Sequence, residues 1–190
     1  MTMRPTIWEA SWLVVLSMFG ASEAAAQAGE DCRLKRYTSV DLSVDEYGVL
    51  VPITIDGHAG NMRLYLAWPL SALHGEAVRA LELPRRKSVR DLDISVGDER
   101  VTETAKFDSF VLGTANLVTG ELMVLPDSMN DGTFGVLGMD VFARADFELD
   151  LRHRKLTLFS QDHCPGRVVY WSDSFAVAPL EREPGPFGRW

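Results

Sequence analysis

Between Met62 and Leu73 the chain reads MRLYLAWPLSAL, a strand that runs into a loop and then toward a helix. Junctions of this kind often display reactive side chains on a rigid support. After Arg63 the only ionisable group here is the phenol of Tyr65. Ser71, the only serine of the stretch, suits the N-terminal region of a helix better than a nucleophile's position, because no Gly-x-Ser-x-Gly elbow accompanies it. Trp68 reads either as a core plug or as an exposed aromatic anchor for a bound chain. The carboxylates elsewhere have structural readings. Asp56 precedes Gly57 in a hairpin turn, where conformation alone explains the pair. Asp140, in VLGMD, reads first as a brace between neighbouring strands and second as a substitute catalytic carboxylate. Asp146, Glu148 and Asp150 alternate with Phe147, Leu149 and Leu151, so a strand places all three on one solvated face. Neither that face nor Asp127–Asp131 has the spacing of an EF-hand.

The remaining polar groups are dispersed. His58, His74, His153 and His163 share no ligand spacing, and His163 beside Cys164 lacks a Cys-x-x-Cys or His-x-x-x-His partner. Gly132-Thr133-Phe134-Gly135 lacks the Gly-Lys-Ser/Thr ending of a phosphate loop. No metal site and no cofactor is expected.

The elements that must position these residues are short and mostly β. Val49–Ile55 is β-branched and apolar, Asp56-Gly57 turns the chain, and Asn61–Ala67 pairs back. Gly75–Leu83 has the Ala77, Ala80, Leu81 spacing of a short helix that Pro84 ends. Arg85–Arg90 reads as a solvated connector. DLDISVG and RVTETAKF flank a turn at Gly97-Asp98, and Phe107–Leu112 and Leu117–Leu125 are two further strands. A loop at Asp127–Gly135 leads to VLGMDVF, then to a strand ADFELDL, a tight turn at Arg152–Arg154 and a last strand KLTLFS. VVYW, 168–171, reads as one more strand, and EREPGPFGRW as a mobile end. Many short strands at turn-rich spacing predict a small barrel or sandwich.

The chain has 190 residues, enough for one domain with terminal extras, and 46% are apolar, as a buried core requires. Its net charge of -8 is spread out, which excludes the basic footprint of a nucleic-acid binder. Near the N-terminus Arg4 precedes the apolar run WLVVLSMFGA and the small-residue stretch ASEAAAQAG. The run is short for a membrane span, and Ala24-Ala25-Ala26 and Ala26-Gln27-Ala28 both fit a signal-peptidase site. Residues 1–26 therefore read as a signal peptide, with Ala28 as the alternative cleavage position. Residues 27–44 read as an arm, 45–164 as the folded domain and 165–190 as a tail. Export to the periplasm, with no stable membrane insertion after cleavage, agrees with the two cysteines, an even count suited to an oxidising compartment. A Cys32–Cys164 disulfide would tie the arm to the far end of the fold.

The strongest local signal is DGTFGVLGMDVFARADFELDLRHRKLTLF, Asp131–Phe159. The glycine of Val136-Leu137-Gly138 lets one backbone pass closely over another, and Asp140 then begins a short helix before two hairpin strands. This segment resembles the C-terminal half of the retropepsin-like aspartic peptidases, single-domain relatives of retroviral proteases. VPITIDGHAGNMRLYL followed by SALHGEAVRALEL resembles the first half of the same family, so the likeness runs from about Val49 to Phe159. QDHCPGRVVYW is similar to the trailing segment of exported bacterial members. The resemblance implies a mainly β chain: a small closed barrel with one or two short helices, and a homodimer. Leu112–Leu125 falls where the family has its substrate-covering flap or the strands after it.

In that family the strand before Ser-Ala-Leu ends in Asp-Thr-Gly. Counting back from Ser71 places Tyr65 at the Asp position, Leu66 at the Thr position and Ala67 at the Gly position. The family's two aspartates, one from each subunit, share a proton and activate water. A phenol, with an ordinary pKa of about 10, is a poor general base in such a role. Leu66 has no hydroxyl to brace the paired loops, and Ala67 with Trp68 crowds the turn. The resemblance thus implies a pseudopeptidase that binds extended polypeptide, with Tyr65 and Trp68 as the candidate binding residues. One alternative is an active aspartic-type endopeptidase that uses a non-standard carboxylate or an Asp-bearing partner. The other is a small-molecule-binding β-barrel.

Overall fold

The computed structural model describes residues 34–88, 94–96, 98–143, 145–162 and 169–179. Residues 1–26, read as a signal peptide, and Cys32 and Cys164 lie outside these residues. Strands β1 (Arg36–Asp41) and β2 (Ser43–Asp45) lead into β3 (Gly48–Ile55), where Val51, Ile53 and Ile55 are buried and the residues between them half-exposed. That alternation puts one face of β3 against the core. Asp56 and Gly57 both take positive φ, 47° and 84°, the backbone of a two-residue type I′ turn. Strand β4 (His58–Leu64) then returns with His58 opposite Ile55. It stops at Leu64, three residues short of the expected Ala67, because the chain turns at Tyr65.

After that turn, β5 (Ala72–His74) replaces the expected helical lead-in, and α1 (Gly75–Ala80) follows. The connector contains a short edge strand, β6 (Arg85–Lys87), fully exposed and paired to the next long strand. A small hairpin, β7 (Ser95–Val96) and β8 (Glu99–Arg100), precedes β9 (Glu103–Leu112) and β10 (Ala115–Leu125). The two arms expected on either side of Phe107 are the single strand β9. Its ten residues are held by β10 on one side and by β3 and β6 on the other.

A 3-10 turn at Asp127–Met129 ends the long hairpin, and β11 (Gly135–Leu137), a second 3-10 turn (Met139–Phe142), β12 (Asp146–Asp150) and β13 (Lys155–Phe159) complete the order. β11 inserts between β4, to which it is parallel, and β5, to which it is antiparallel. The ring β3–β4–β11–β5–β10–β9 closes where β9 pairs back onto β3 through Thr54↔Val111 and Ile55↔Phe110. This is the small, mainly β closed barrel that the resemblance implied, and closure removes sheet edges within the ring. A separate sheet, β1–β13–β12, lies outside it. Val169–Trp171 form no strand. Tyr170 instead packs its ring against Phe159 of the second sheet.

The main core is one cluster. Ile55, Met62, Leu73, Phe110, Leu112 and Leu137 from the ring meet Val78 of α1 and Leu156 and Leu158 of β13. Phe147 and Leu149 of β12 pack against the same cluster, but all five residues of the strand are half-buried and Glu148 accepts the Tyr170 hydroxyl, so Asp146, Glu148 and Asp150 do not form the solvated face that the alternation predicts.

Candidate functional site

The β4–β5 junction is built by close backbone passage. Tyr65 N–H donates to the Leu137 carbonyl at 2.9 Å, and Met139 N–H donates to the Trp68 carbonyl at 2.9 Å. Residues 65–68 form a turn closed by Trp68 N–H on the Tyr65 carbonyl, 3.0 Å. The strand carrying Val136-Leu137-Gly138 therefore runs directly beneath this loop. Gly138 is required there: a Cβ would lie 2.6 Å from the Leu70 carbonyl carbon and 2.8 Å from the Trp68 oxygen, both backbone atoms with nowhere to move.

Tyr65 and Leu66 are 50% and 39% exposed, Ala67 is exposed, and Trp68 is half-buried with its ring 6.5 Å from that of Tyr65. All four residues singled out by the sequence thus sit in one turn. Neither Leu66 nor Ala67 has positive φ, so the turn accommodates both without glycine. The tip presents a phenol and aliphatic surface, and no side chain in it can act as a carboxylate base.

Asp140 lies just behind the turn. One of its carboxylate oxygens accepts both the Ser71 N–H, 2.8 Å, and the Ser71 hydroxyl, 2.7 Å. The Ser71 oxygen in turn accepts Gly138 N–H at 2.8 Å. Three segments are pinned through one buried hydroxyl, which explains both Ser71 and Asp140 structurally. Asp56 is elsewhere: its Oδ1 accepts the N–H groups of Asp108 and Ser109 at 2.9 and 2.7 Å, tying the hairpin tip to β9. Leu112–Leu125, one expected place of a flap, is the second arm of a barrel hairpin whose turn is held to β1 by Thr114 N–H on Thr38 Oγ1, 3.1 Å. The β7–β8 hairpin also lies outside the ring, and Ile94, Val96, Leu70 and Val136 pack against a small cluster of Ala72, Val101, Met123 and Leu125.

A charged cluster escaped the sequence reading. Buried Arg63 on β4 holds Asp45 bidentately, at 2.8 and 3.0 Å, and Asp131 at 2.6 Å. The Tyr47 ring lies 5.5 Å from the guanidinium carbon. His74, 1% exposed, brings Nε2 to 3.3 Å from Asp131 Oδ1, an ion-pair contact, and neither of its ring nitrogens is hydrogen-bonded among the described residues. The hydrogen bonds from Arg63 hold the Asp45 carboxyl down at about 2, and Asp45 in turn raises the guanidinium. Burial pushes Asp131 up, but hydrogen bonds from Thr133 and Arg63 outweigh it and leave the carboxyl low. Burial lowers His74 despite the nearby Asp131. An arginine between Met62 and Leu64 in a barrel strand was the available signal, since a buried guanidinium needs anions.

No protein-family model matches the chain, and no curated protein does. Solved structures are similar to it. A retropepsin-like aspartic protease from Rickettsia conorii is 15% identical with a TM-score of 0.48, over 67% of this chain and 94% of that one. The retroviral protease-like domain of Ddi1 from Leishmania major is 14% identical with a TM-score of 0.41, over 60% of this chain and 94% of that one. Basic 7S globulin from soybean is 17% identical with a TM-score of 0.35, over 74% of this chain and 46% of that one. The closed β-barrel of this chain rests on its own strand pairings.

Proposed function

We propose that this chain is an exported, periplasmic retropepsin-like pseudopeptidase that binds extended polypeptide and pairs with a second copy through the Tyr65–Trp68 turn. The observation that carries the reading is the chemistry of that turn. At the position where the resemblance puts the catalytic aspartate stands an exposed tyrosine, followed by leucine and alanine. Asp140, the carboxylate behind it, already serves Ser71 with two hydrogen bonds. A general base must reach the water it activates, and here the base is missing while the supporting backbone is intact. The exposed Tyr65 and Leu66 supply apolar contact for a partner, and a bound strand would add main-chain hydrogen bonds.

The test is a peptide-library digest by the purified, oxidised mature chain from about pH 3 to pH 8, which brackets carboxylate and histidine titration. Mass spectrometry is expected to find no cuts for the natural chain. Equilibrium binding of library peptides should weaken about tenfold on Tyr65→Ala, as for loss of an aromatic anchor. Cut sites that persist through repurification and vanish in Asp140→Asn would establish the active-peptidase reading instead.

A further inference from the structure

The barrel sheet has an open edge at β6, because Arg85–Lys87 pair with β9 on one side and with no described strand on the other. Lys106 N–H donates to the Pro84 carbonyl at 2.9 Å, and Ser88 N–H donates to the Thr102 carbonyl at 2.8 Å. With Arg86 opposite Thr104, residues 84, 86 and 88 turn their backbone groups toward β9. Alternation then points the N–H and C=O of Arg85 and Lys87 away from the sheet. All three residues of β6 are exposed, and all three are basic in a chain of net charge -8. Arg85 is paired with Glu103 at 3.0 Å. Among the described residues, no ion pair or hydrogen bond engages the side chains of Arg86 and Lys87. Lys106, whose N–H meets Pro84, adds a further exposed cation.

Charges on an edge guard it against stray strands, but charges of one sign exclude selectively. A second copy pairing β6 to β6 would set arginine and lysine against arginine and lysine, which is unfavourable. A nucleic acid would meet the cations, yet its phosphate backbone has no N–H for the outward carbonyls. An extended polypeptide offers both donor and acceptor at strand spacing. Side chains alternate between faces, so consecutive residues of an added strand meet Arg86 on one face and Lys87 on the other. We infer that β6 takes up, as an added strand, an extended polypeptide segment carrying two adjacent acidic residues. β6 shares no residue with the Tyr65–Trp68 turn, so this site goes beyond the polypeptide reading of that turn and stands without it.

The experiment titrates the purified, isotopically labelled full chain with the capped hexapeptide Thr-Val-Glu-Glu-Val-Thr at low salt, read by NMR. Gln-Gln and Lys-Lys versions of the peptide and a single-stranded oligothymidylate serve as controls. Saturable binding below about 1 mM is expected, with amide shifts at residues 85–88 and in β9. The Gln-Gln peptide should bind about fivefold weaker, as for loss of two exposed ion pairs, and the Lys-Lys peptide weaker still. Arg86→Gln combined with Lys87→Gln should remove that preference. Lys87→Pro deletes an outward N–H without touching the β9 ladder. It should weaken binding about fivefold, against about twofold for Lys87→Gln. Two peptides N-methylated at alternate residues make the same test from the ligand's side if Lys87→Pro fails to fold. One should lose binding and the other keep it. No saturation up to about 10 mM, equal affinity for the three peptides, tighter binding of oligothymidylate, or equal binding of both methylated peptides would each overturn the inference. Shifts confined to residues 65–68 would overturn it too, while leaving the reading of the turn in place.

Discussion

Two side chains bear most directly on what the turn at Tyr65 can do. Asp140 is the carboxylate nearest a catalytic role, yet its oxygen is occupied by the Ser71 N–H and hydroxyl. Asp140→Ala removes the acceptor of two hydrogen bonds and strands a buried donor pair, so a loss of about 3 kcal/mol is expected. Asp140→Asn keeps one acceptor and should lose about half of that. Urea denaturation of both variants checks the ordering; a fully stable Asp140→Ala would free this residue for chemistry. His74 makes a different prediction. Burial holds its pKa in the folded chain below the ordinary 6.5, so above pH 6.5 it is neutral in both states and contributes no pH dependence. Below that point the unfolded chain binds a proton that the folded chain refuses, and stability falls as pH falls. The slope from one such group approaches about 1.4 kcal/mol per pH unit. His74→Gln should flatten the stability profile as pH falls below 6.5. The loss from Asp131 and Asp45, whose pKa values are lowered, begins only below 3.8. An unchanged slope in His74→Gln would show that this imidazole titrates freely.

At the scale of elements, α1 ends in a way that invites a test. Leu83 N–H reaches the Val78 carbonyl at 3.0 Å and Glu82 N–H the Arg79 carbonyl at 3.1 Å, the paired bonds of a Schellman ending. The residue in the left-handed position is Glu82, with φ 52°, where a side chain costs about 1 kcal/mol relative to glycine. Glu82→Gly should therefore raise the melting temperature by a few degrees, about 1 kcal/mol; a lower melting temperature would mean that the Glu82 side chain makes a contact that outweighs the strain. This ending also shows which parts of the fold were legible. Pro84 marked the stop, Asp56-Gly57 marked the β3–β4 hairpin, and alternation marked the buried face of β3, because each signal is local. β5, β6 and β11 were hidden. Each is three residues long, too short for a period, and exists only because distant strands supply its partners. Val136-Leu137-Gly138 was readable as a close passage, since glycine is needed wherever two backbones meet. The Asp45–Arg63–His74–Asp131 cluster draws on four separate segments, and no spacing along the chain announces it. VVYW had strand composition, yet Tyr170 and Trp171 pack through their rings and the Glu148 bond, with no ladder beside them.

At the scale of the whole molecule, the ends of the domain matter most. β1 and β13 are antiparallel, with Arg36 opposite Phe159, and Ser160 N–H donates to the Lys35 carbonyl at 2.8 Å. The incoming and outgoing chains therefore leave the second sheet at the same end. Cys32 stands four residues before Arg36, and Cys164 five after Phe159. Extended chain covers about 3.3 Å per residue, so connections of four and five residues are long enough for a Cys32–Cys164 bridge. A Cys32–Cys164 bridge would enclose most of the chain and, in the chain-entropy model, stabilise it by at most about 5 kcal/mol. Peptide mapping of the oxidised protein without reductant should yield a single linked pair containing both cysteines. Reduction, or Cys32→Ser with Cys164→Ser, should lower the denaturation midpoint without altering the barrel's far-ultraviolet signature, because the ring β3–β4–β11–β5–β10–β9 closes without either end. Two free thiols in protein recovered from an oxidising compartment would remove the tether, and with it the argument from cysteine content for export.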